Sequence, residues 1–370
     1  MMAAVKQVKK IINSLSYNPI CNKLFNYPKY LSCHHSCSVE CLEKIKKQSS
    51  KITHPYINVD CFLPHQVGEV KVSVCVNGKY IKGSPYSVAA SCDYTSLSKP
   101  SKIVNKDGKM SGPQGIGFSR NGKWAVADWS NHCVYLYDGK DQLVRKFGGE
   151  GYNDDQFYHP RGVAFDDEDH LYITDINRVQ KFTIDGDYLL QFGKYLWYRI
   201  FGSDDYKMKY PIGLTVHNGK VYVADSGNSR ISVFLTDGTF HQTIGRGQLW
   251  CPSDVAVTNN DELLVVGKKR ACIYRFTLDG NYIGKFSNHG DELHYPMSIT
   301  IDSNDFILVT DMVKSQVVIF DKYGNLVHKF GSYGSGDGEF SWPYGIAVNK
   351  NGNIYVSDCF NKRVQIFSNY

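Results

Sequence analysis

The chain has 370 residues, of which 42% are hydrophobic and 21% charged, and this composition is typical of a globular protein of two or three domains. No apolar run approaches 18 residues, which predicts no membrane span or membrane partner, and eleven cysteines without a small-domain spacing pattern indicate reduced thiols and a cytoplasmic location. Residues 1–100 carry a net charge of +8 and residues 101–370 one of −2, which argues against a global basic field that attracts nucleic acid to the second part.

Residues 1–17 are interpreted as an N-terminal leader without a signal peptide, because Ile11-Ile12-Asn13 is too short an apolar core. Residues 18–44 then contain closely spaced metal-ligand types, namely Cys21, Cys33, His34, His35, Cys37 and Cys41. Their order resembles the first half of a tripartite-motif RING finger, in which eight Cys and His ligands hold two Zn²⁺ ions. On that resemblance, the residues that fall on ligand positions are Cys21, Cys33, His35 and Cys41.

Two interpretations of this RING remnant stay open, because Asn18 and Ser38 stand where the resemblance implies ligand cysteines and the final cysteine pair is missing. The first is a non-metallated remnant or a truncated gene model. The second is a residual zinc site built from Cys21, Cys33 or Cys37, His34 or His35, and Cys41. Structural zinc contributes roughly 10–16 kcal/mol to small domains. With half of the ligands gone, we expect little of that free energy and no conventional RING.

Residues 52–92 contain short strands separated by turn signals. Val70–Val76 is followed by Asn77-Gly78-Lys79, a hairpin turn of the type that favours positive φ, and then by Ile81-Lys82-Gly83-Ser84-Pro85-Tyr86-Ser87-Val88. These segments resemble the end of a filamin-type immunoglobulin-like repeat. A complete sandwich needs about seven strands and about 100 residues. The resemblance therefore implies a partial repeat that is loosely ordered or leans on the rest of the chain.

Six copies of one pattern fill residues 100–370. A proline opens each copy, with gaps of 47, 51, 41, 44 and 47 residues, at Pro113, Pro160, Pro211, Pro252, Pro296 and Pro343. Self-similarity at that period is typical of a propeller or a solenoid. Each copy continues with a short strand, a polar turn and an apolar run that ends in Asp in five copies, at Asp128, Asp175, Asp225, Asp311 and Asp358, and in Gly267 in the fourth copy.

A third strand follows this position, and an Asp-Gly-type turn leads to a fourth, as in Val317–Phe320 and Leu326–Gly331. Four antiparallel strands in a repeat of this length make a propeller blade. The last copy ends after its third strand, and a blade with an unpaired edge is unfavourable. We therefore predict that Ser101–Asn105 supplies the missing strand and closes a six-bladed ring.

The repeat resembles the NHL family, whose naming triplet appears as Asn131-His132-Cys133, with related triplets at Asn228-Ser229-Arg230 and Asn361-Lys362-Arg363. The predicted fold class is therefore all-β, with a six-bladed NHL β-propeller after a partial filamin-type segment and a RING remnant. This order of parts resembles the tripartite-motif NHL proteins, which are RING ubiquitin ligases whose propeller selects the client. The resemblance implies a ubiquitin-conjugating enzyme as a partner if the RING is functional, although the usual B-boxes and coiled coil are missing.

The loops before each proline and after each aspartate are predicted to open on one face of the propeller. Aromatic residues interleaved with Arg and Lys suit the stacked bases of looped RNA, and they equally suit the hot spots of a protein interface. The candidate binding residues are Trp129, His132, Arg161, Arg178, Trp250, Lys268, Lys269, Arg270, Tyr295, Lys314, Tyr344 and Lys362. Lys268-Lys269-Arg270 is the best candidate for a basic patch, because it lies in the blade without an aspartate.

Structural alternatives exist for several loop residues. Arg230 and Arg363 each lie five residues after an aspartate, a spacing that favours an Asp–Arg pair within the blade. The aromatic residues next to the prolines either contact a client or wedge between blades. The longest loop, residues 194–209, carries Tyr195, Trp197, Tyr198 and Arg199, and it is either functional or a cap on the ring.

Catalysis by the propeller is not expected. A metal in the central channel needs several inward-facing carboxylates or histidines, whereas the first strands carry Asp254 as their one obvious acidic residue. Motifs of the nucleophile-elbow, P-loop and HExxH types do not occur in the sequence. The sequence therefore predicts a non-catalytic recognition module, without a cofactor in the propeller, whose partner is a protein client or a structured RNA. The alternative is a RING-type E3 ubiquitin-protein ligase that is degenerate in this chain.

Overall fold

The computed structural model describes residues 94, 97–105, 109–194, 206–286 and 292–368, together with the backbone of four strands between residues 57 and 89. The chain divides into two compact units, Met1–Asp93 and Tyr94–Tyr370. In the first unit, one antiparallel sheet consists of β1 (Ile57–Cys61), β2 (Glu69–Val76), β3 (Lys79–Tyr80) and β4 (Tyr86–Ala89), and β2 pairs with the other three strands. Val76 lies opposite Lys79, which agrees with the predicted hairpin. The filamin-type resemblance of this sheet stays a prediction.

The second unit consists of six four-stranded antiparallel sheets, which we call blades 1 to 6, so the predicted all-β, six-bladed propeller is confirmed. Blade 1 contains β6 (Pro113–Phe118), β7 (Trp124–Asp128), β8 (Cys133–Tyr137) and β9 (Leu143–Gly148). Blade 2 contains β10 (Val163–Phe165), β11 (Leu171–Asp175), β12 (Arg178–Phe182) and β13 (Tyr188–Phe192). Blade 3 contains β14 (Pro211–His217), β15 (Lys220–Asp225), β16 (Arg230–Leu235) and β17 (Phe240–Ile244). Blade 4 contains β18 (Pro252–Val257), β19 (Glu262–Gly267), β20 (Cys272–Thr277) and β21 (Tyr282–Lys285). Blade 5 contains β22 (Pro296–Ile301), β23 (Ile307–Asp311), β24 (Gln316–Phe320) and β25 (Leu326–Phe330). Blade 6 contains β26 (Pro343–Val348), β27 (Ile354–Asp358), β28 (Arg363–Phe367) and β5 (Lys102–Val104).

Burial decreases from the second strand of a blade to the fourth. Every residue of β7 is buried, whereas Phe147 is the one buried residue of β9. The apolar runs predicted to be strands are buried on both faces because neighbouring blades cover them. One apolar cluster, for example, joins Val134 and Phe147 of blade 1 to Ile173 and Phe182 of blade 2. Burying a side chain of this size stabilises a fold by roughly 1.5–3 kcal/mol, so contacts between blades are a main source of stability.

Hydroxyl groups also join neighbouring blades near the ring axis. Thr310 of β23 donates from Oγ1 to the carbonyl oxygen of Tyr344 at 2.6 Å, and Ser253 of β18 donates from Oγ to that of Pro296 at 3.2 Å. Each hydroxyl therefore links its own blade to the first strand of the next. Such bonds satisfy backbone carbonyl groups that are buried away from water.

The ring closes through a strand from the beginning of the propeller, as predicted. β5 pairs antiparallel with β28, with Val104 opposite Val364 and Ile103 opposite Gln365. The backbone N–H of Ser101 also donates to the carbonyl oxygen of Ile366 at 2.8 Å. Val104 is 7% exposed and belongs to the apolar cluster shared by blades 1 and 6. The two ends of the propeller are therefore held by both hydrogen bonds and apolar contacts.

Short 3-10 helices, Ser226–Asn228 and Lys268–Arg270, follow the second strands of blades 3 and 4. Both end at a residue with positive φ, Ser229 at 53° and Ala271 at 48°. Among the described residues, no helix has the length and apolar character needed to cross a membrane.

Candidate functional site

The start of each first strand and the end of each second strand lie at the same edge of a blade. The strand register places Pro211 opposite Asp225 and Pro343 opposite Asp358, for example. The loops before each proline and after each aspartate therefore open on one face, as the repeat pattern predicts. We call this side of the propeller the Pro–Asp face.

The five repeat aspartates are buried and hold the loops of this face in place. Asp128 accepts hydrogen bonds from the backbone N–H groups of Ser111 at 2.8 Å and Gly112 at 2.9 Å. Asp358 likewise accepts one from the N–H of Ser341 at 2.7 Å. These carboxylates therefore cap turns, which agrees with the sequence-based interpretation.

Two arginines pair with these aspartates, as their spacing predicts. Arg230 donates from Nε to Asp225 Oδ2 at 2.9 Å, and Arg363 donates from Nε to Asp358 Oδ2 at 2.8 Å. Both carboxylates are fully buried, so the pairs lie within their blades and are not free to bind a large client.

Two of the predicted face residues are buried, which corrects the sequence-based assignment. Arg178 is 1% exposed and donates from Nε to Asp175 Oδ2 at 3.0 Å. Arg178 lies three residues after its aspartate, whereas Arg230 and Arg363 lie five residues after theirs. Its guanidinium nevertheless forms the same kind of buried pair. Tyr344 is 7% exposed and packs with Ile212 and Cys359 around the channel. Neither side chain forms part of an open surface.

Blade 4 has no capping aspartate, and its loop is built differently. A Cβ on Gly267 would lie 2.6 Å from Cε2 of Tyr274, so the tyrosine ring fills the space of the missing side chain. Nearby, Lys269 Nζ lies 5.9 Å and Arg270 Cζ 5.6 Å from the centroid of the Trp250 ring. Trp250 is 51% exposed. Blade 4 therefore presents one accessible aromatic ring flanked by two cations.

The candidate residues fall into three levels of exposure. Trp250, Lys269, Arg270, Lys314 and Lys362 are exposed; Trp129, His132, Arg161, Lys268 and Tyr295 are partly buried; Arg178 and Tyr344 are buried. The structure therefore brings the exposed group to the loops of the Pro–Asp face, where a macromolecular partner can contact it directly.

Aromatic side chains of blades 1 and 2 stack across the boundary between these blades. The rings of Trp129 and His159 are nearly parallel with centroids 4.0 Å apart, and the ring of His132 lies 4.5 Å from that of His159. The backbone N–H of His159 donates to His132 Nδ1 at 3.1 Å. These rings wedge between blades, which is one of the two alternatives predicted for aromatic residues beside the prolines.

Blade 6 carries a second accessible aromatic pair. The rings of Trp342 and Phe360 stack with centroids 4.3 Å apart, and their side chains are 46% and 57% exposed. Trp342 precedes Pro343 with a φ of 61°, a left-handed conformation that is unfavourable for a bulky residue. The candidate set omitted this pair. The sequence did offer a signal for both residues. Trp342 directly precedes a repeat proline, as Tyr295 does, and Phe360 lies in the same loop after Asp358 as Lys362.

The first strands surround a central cavity of about 290 Å³. In four blades, the second residue after the proline is a glycine. A Cβ on Gly115 would lie 2.3 Å from the carbonyl oxygen of Arg161, and one on Gly345 would lie 2.2 Å from that of Gln114. Inner strands that approach this closely leave no room for a side chain. In blade 4, by contrast, Asp254 occupies the position.

Asp254 is buried in the wall of this channel. Its Oδ2 accepts hydrogen bonds from Ser298 Oγ at 2.6 Å and the N–H of Ile299 at 3.0 Å, and its Oδ1 accepts one from the N–H of Val255 at 2.9 Å. Burial raises the pKa of Asp254 from 3.8 to about 6, and these hydrogen bonds limit the rise. The carboxyl therefore binds its proton more tightly in the folded chain than in the unfolded chain.

This pKa difference predicts that Asp254→Asn stabilises the protein relative to the native chain as the pH rises. The favourable contribution of the native carboxyl is fully present below about pH 4 and is lost as the pH rises through about 6. Between pH 5 and 7.5, the free energy of unfolding of the variant should rise by about 1.4 kcal/mol relative to that of the native chain. Urea unfolding at both pH values measures the gain. Asp279→Asn, at an exposed site, is the matched control and should show no such gain.

The part of the chain that the structure describes contains no group of three or more His, Cys, Asp and Glu side chains arranged to hold a metal ion. The predicted zinc ligands Cys21, Cys33, His35 and Cys41 lie outside the described residues. Residues 195–205, which include the aromatic part of the longest loop, also lie outside them. The assignments made for both segments stay predictions.

Comparison with known proteins gives two family matches within the propeller and a relative with partial coverage. Residues 208–234 match the NHL repeat family, and residues 292–369 match a family described as a 6-bladed beta-propeller. Over 163 residues, the chain is 29% identical to the protein brain tumor of Drosophila melanogaster. That alignment covers 41% of this chain and 15% of the Drosophila protein, so the chain spans a small part of the length of this relative.

Solved structures share the fold at low sequence identity. A protein of unknown function from Bacteroides thetaiotaomicron superposes with a TM-score of 0.57 at 16% identity, covering 83% of each chain. A gluconolactonase from Xanthomonas campestris superposes with a TM-score of 0.54 at 13% identity, covering 70% of this chain and 86% of that one. Likeness at these identities indicates the fold alone. In its repeated residues, its closed ring of six sheets and its sequence matches, the second unit of this chain is similar to NHL-repeat propellers.

Proposed function

We propose that the propeller is a non-catalytic recognition module that binds a protein client or a structured RNA through its Pro–Asp face. One observation carries the proposal: the aromatic side chains of Trp250, Trp342 and Phe360 are exposed on the loops of this face, and two cations flank the ring of Trp250. Trp250 lies within about 6 Å of Lys269 and Arg270, and Trp342 stacks on Phe360. Sequence similarity to NHL-repeat proteins supports the same class of function.

These side chains suit both kinds of partner. A base stacked on an aromatic ring contributes roughly 1–3 kcal/mol, and neighbouring cations neutralise the phosphates beside it. Trp and Arg are also the residues that most often dominate the energetics of protein interfaces. The pairing of Trp250 with two cations favours RNA at blade 4. The purely apolar stack of Trp342 and Phe360 favours a protein surface at blade 6.

Reversing the charge of Lys269 and Arg270 together, by Lys269→Glu and Arg270→Glu, should weaken RNA binding by more than about tenfold, because two phosphate contacts become repulsive. Filter binding at 50 mM and 200 mM salt measures both the affinity and its salt dependence. RNA binding that rests on phosphates falls steeply with added salt, whereas an apolar protein interface is nearly insensitive to it.

The matched control reverses two exposed lysines in turns at the opposite edge of the blades, by Lys322→Glu and Lys350→Glu. It changes the net charge by the same amount but leaves the Pro–Asp face intact. Equal loss of binding in both double variants would assign the effect to overall charge and would contradict the proposed site. Unchanged RNA binding in the Lys269 and Arg270 variant would leave a protein client as the partner of this face.

A ubiquitin ligase whose propeller chooses the substrate remains the alternative that the sequence raised. It depends on zinc in residues 18–44, which lie outside the described residues. The zinc content of the purified full chain is the direct test. A bound zinc that is lost on changing Cys33 and Cys41 to Ser would support this alternative. A chain without zinc would leave the recognition module as the remaining candidate function.

A further inference from the structure

The entrance of the channel on the Pro–Asp face is formed by two positions of each repeat. One is the residue after the proline, and the other is the residue after the aspartate that ends the second strand. The first position holds Gln114, Arg161, Ile212, Ser253, Met297 and Tyr344, and the second holds Trp129, Ile176, Ser226, Lys268, Met312 and Cys359. Two of these twelve residues are charged, and both are cations. We call the place where they meet the channel mouth.

Arg161 extends from blade 2 across the mouth. Its Nη1 donates to the hydroxyl of Tyr344 in blade 6 at 3.3 Å, so the guanidinium spans the width of blade 1 near the ring axis. It also acts on Lys268 of blade 4, because burial first and the charge of Arg161 second lower the pKa of Lys268. Because this guanidinium contacts blade 6 and its charge affects Lys268 of blade 4, it lies over the channel.

These two cations have no acidic partner among the described residues. Neither Arg161 nor Lys268 forms an ion pair there, and the carboxylate of Asp254 in the channel wall already accepts three hydrogen bonds from its own and the adjoining strand. Two like charges held together at a partly buried site are unfavourable unless an anion compensates them.

Blade 1 adds unpaired polar atoms at the same two repeat positions. Oε1 of Gln114 and Nε1 of Trp129 are buried without a hydrogen-bond partner, and they are two of the four such side-chain atoms in the described part of the chain. Buried polar groups are otherwise satisfied in folded proteins. Blade 1 therefore holds, at the two repeat positions of the mouth, polar groups whose hydrogen-bonding capacity is not used within the protein.

The remaining wall of the mouth is apolar. Ile212, Met297, Tyr344 and Cys359 form one buried cluster, against which Tyr295 and Met312 pack. RNA recognition relies on stacked bases and on polar contacts to phosphate and 2′-hydroxyl groups, whereas the buried centre of a protein interface is mainly apolar. The apolar wall beside two cations therefore favours a carboxylate carried by a peptide segment.

We propose that the channel mouth binds the carboxylate of an acidic side chain from a protein client, with Arg161 and Lys268 as its cationic contacts. This inference rests on the proposed recognition function and names the chemistry of one partner. It assigns the centre of the Pro–Asp face to a carboxylate, whereas the exposed rings of Trp250 and Trp342 form separate contacts outside the mouth.

The test selects ten-residue peptides from a random library on the whole protein and compares their retention by the native protein and by two double variants. We expect the selected peptides to contain Asp or Glu, and Arg161→Met with Lys268→Met to weaken their binding by about tenfold or more, because charge-assisted hydrogen bonds are lost. Replacing the acidic residue of a selected peptide by its amide should have the same effect. Circular dichroism checks that the double variant folds, and Lys322→Met with Lys350→Met is the matched control.

Each other outcome overturns the inference. Selected peptides without acidic residues, peptides that bind the double variant equally well, or a library without any enriched peptide would each do so. A random single-stranded RNA pool that loses binding to the double variant, while peptides do not, would assign the mouth to phosphate instead. If Trp250→Ala and Trp342→Ala abolish partner binding but the mouth variants do not, the proposed function stands and this inference fails.

A measurement on the native protein avoids any folding defect of a variant. The lowered pKa of Lys268 leaves more of its amine neutral and reactive toward an acylating reagent at pH 8. A selected acidic peptide should reduce labelling of Lys268, read by mass spectrometry, and should leave the exposed Lys350 unchanged. Equal labelling of Lys268 with and without the peptide would contradict the site.

Discussion

Deleting residues 101–105 should open the ring and lower the free energy of unfolding of the propeller by about 3–5 kcal/mol. The deletion removes β5 from its pairing with β28 and exposes the edge of blade 6. It also removes Val104, which is 7% exposed, from the apolar cluster that joins blades 6 and 1. Thermal and urea unfolding, followed by circular dichroism, measure the loss.

A point substitution separates the apolar contribution from the hydrogen bonds. Val104→Asp keeps the backbone but places a carboxylate among buried apolar side chains, and it should cost several kcal/mol. Lys102→Ala is the control in the same strand, because the Lys102 side chain is 42% exposed and its ion pair with Asp141 should contribute at most about 1 kcal/mol. An unaltered melting temperature after the deletion would show that the ring does not close through β5.

Replacing Arg178 by Met should destabilise the propeller by about 3–5 kcal/mol, because it leaves the carboxylate of Asp175 buried and unpaired. The guanidinium donates five hydrogen bonds, to Asp175 Oδ2, Gln191 Oε1 and the carbonyl oxygens of Tyr152, Asn153 and Gln156. Burial already raises the pKa of Asp175, and the charge of Arg178 opposes that rise. Urea unfolding at pH 7 measures the change.

Arg178→Lys should recover little of this stability, because a single ammonium group cannot reach acceptors spread over a planar fork. Arg145→Met is the surface control. Arg145 also pairs with an aspartate, Asp187 at 2.9 Å, but both side chains are exposed, so its loss should cost at most about 1 kcal/mol. Equal effects at the two arginines would contradict the structural role assigned to Arg178.

Features that depend on neighbours along the chain followed from the sequence. The six repeats, their four strands and the capping aspartates follow local rules of alternation, turn chemistry and hydrogen bonding. The Asp–Arg pairs of blades 3 and 6 followed from a spacing of five residues. Ring closure also followed, because a missing fourth strand at one end and a spare strand at the other leave one arrangement that pairs every edge.

Which side chains are accessible around the channel depends on contacts between repeats, and the sequence alone could not distinguish the accessible residues from the buried ones. Arg178 and Arg161 both lie in the repeat of blade 2, yet the first turns into its blade and the second reaches over the ring axis to Tyr344. Stacking at the boundary of blades 1 and 2 buried Trp129 in part, whereas Trp250 stayed exposed beside its cations.

The sequence by itself determined the number of blades, their strand order and the end of each blade at which loops gather, because these depend on residues close together in the chain. Only the tertiary structure decided which side chains on that face are accessible and which cations meet at the mouth. Those outcomes depend on how six nearly equal sheets pack around a common axis, and the distances between residues of different blades are not encoded in any single repeat.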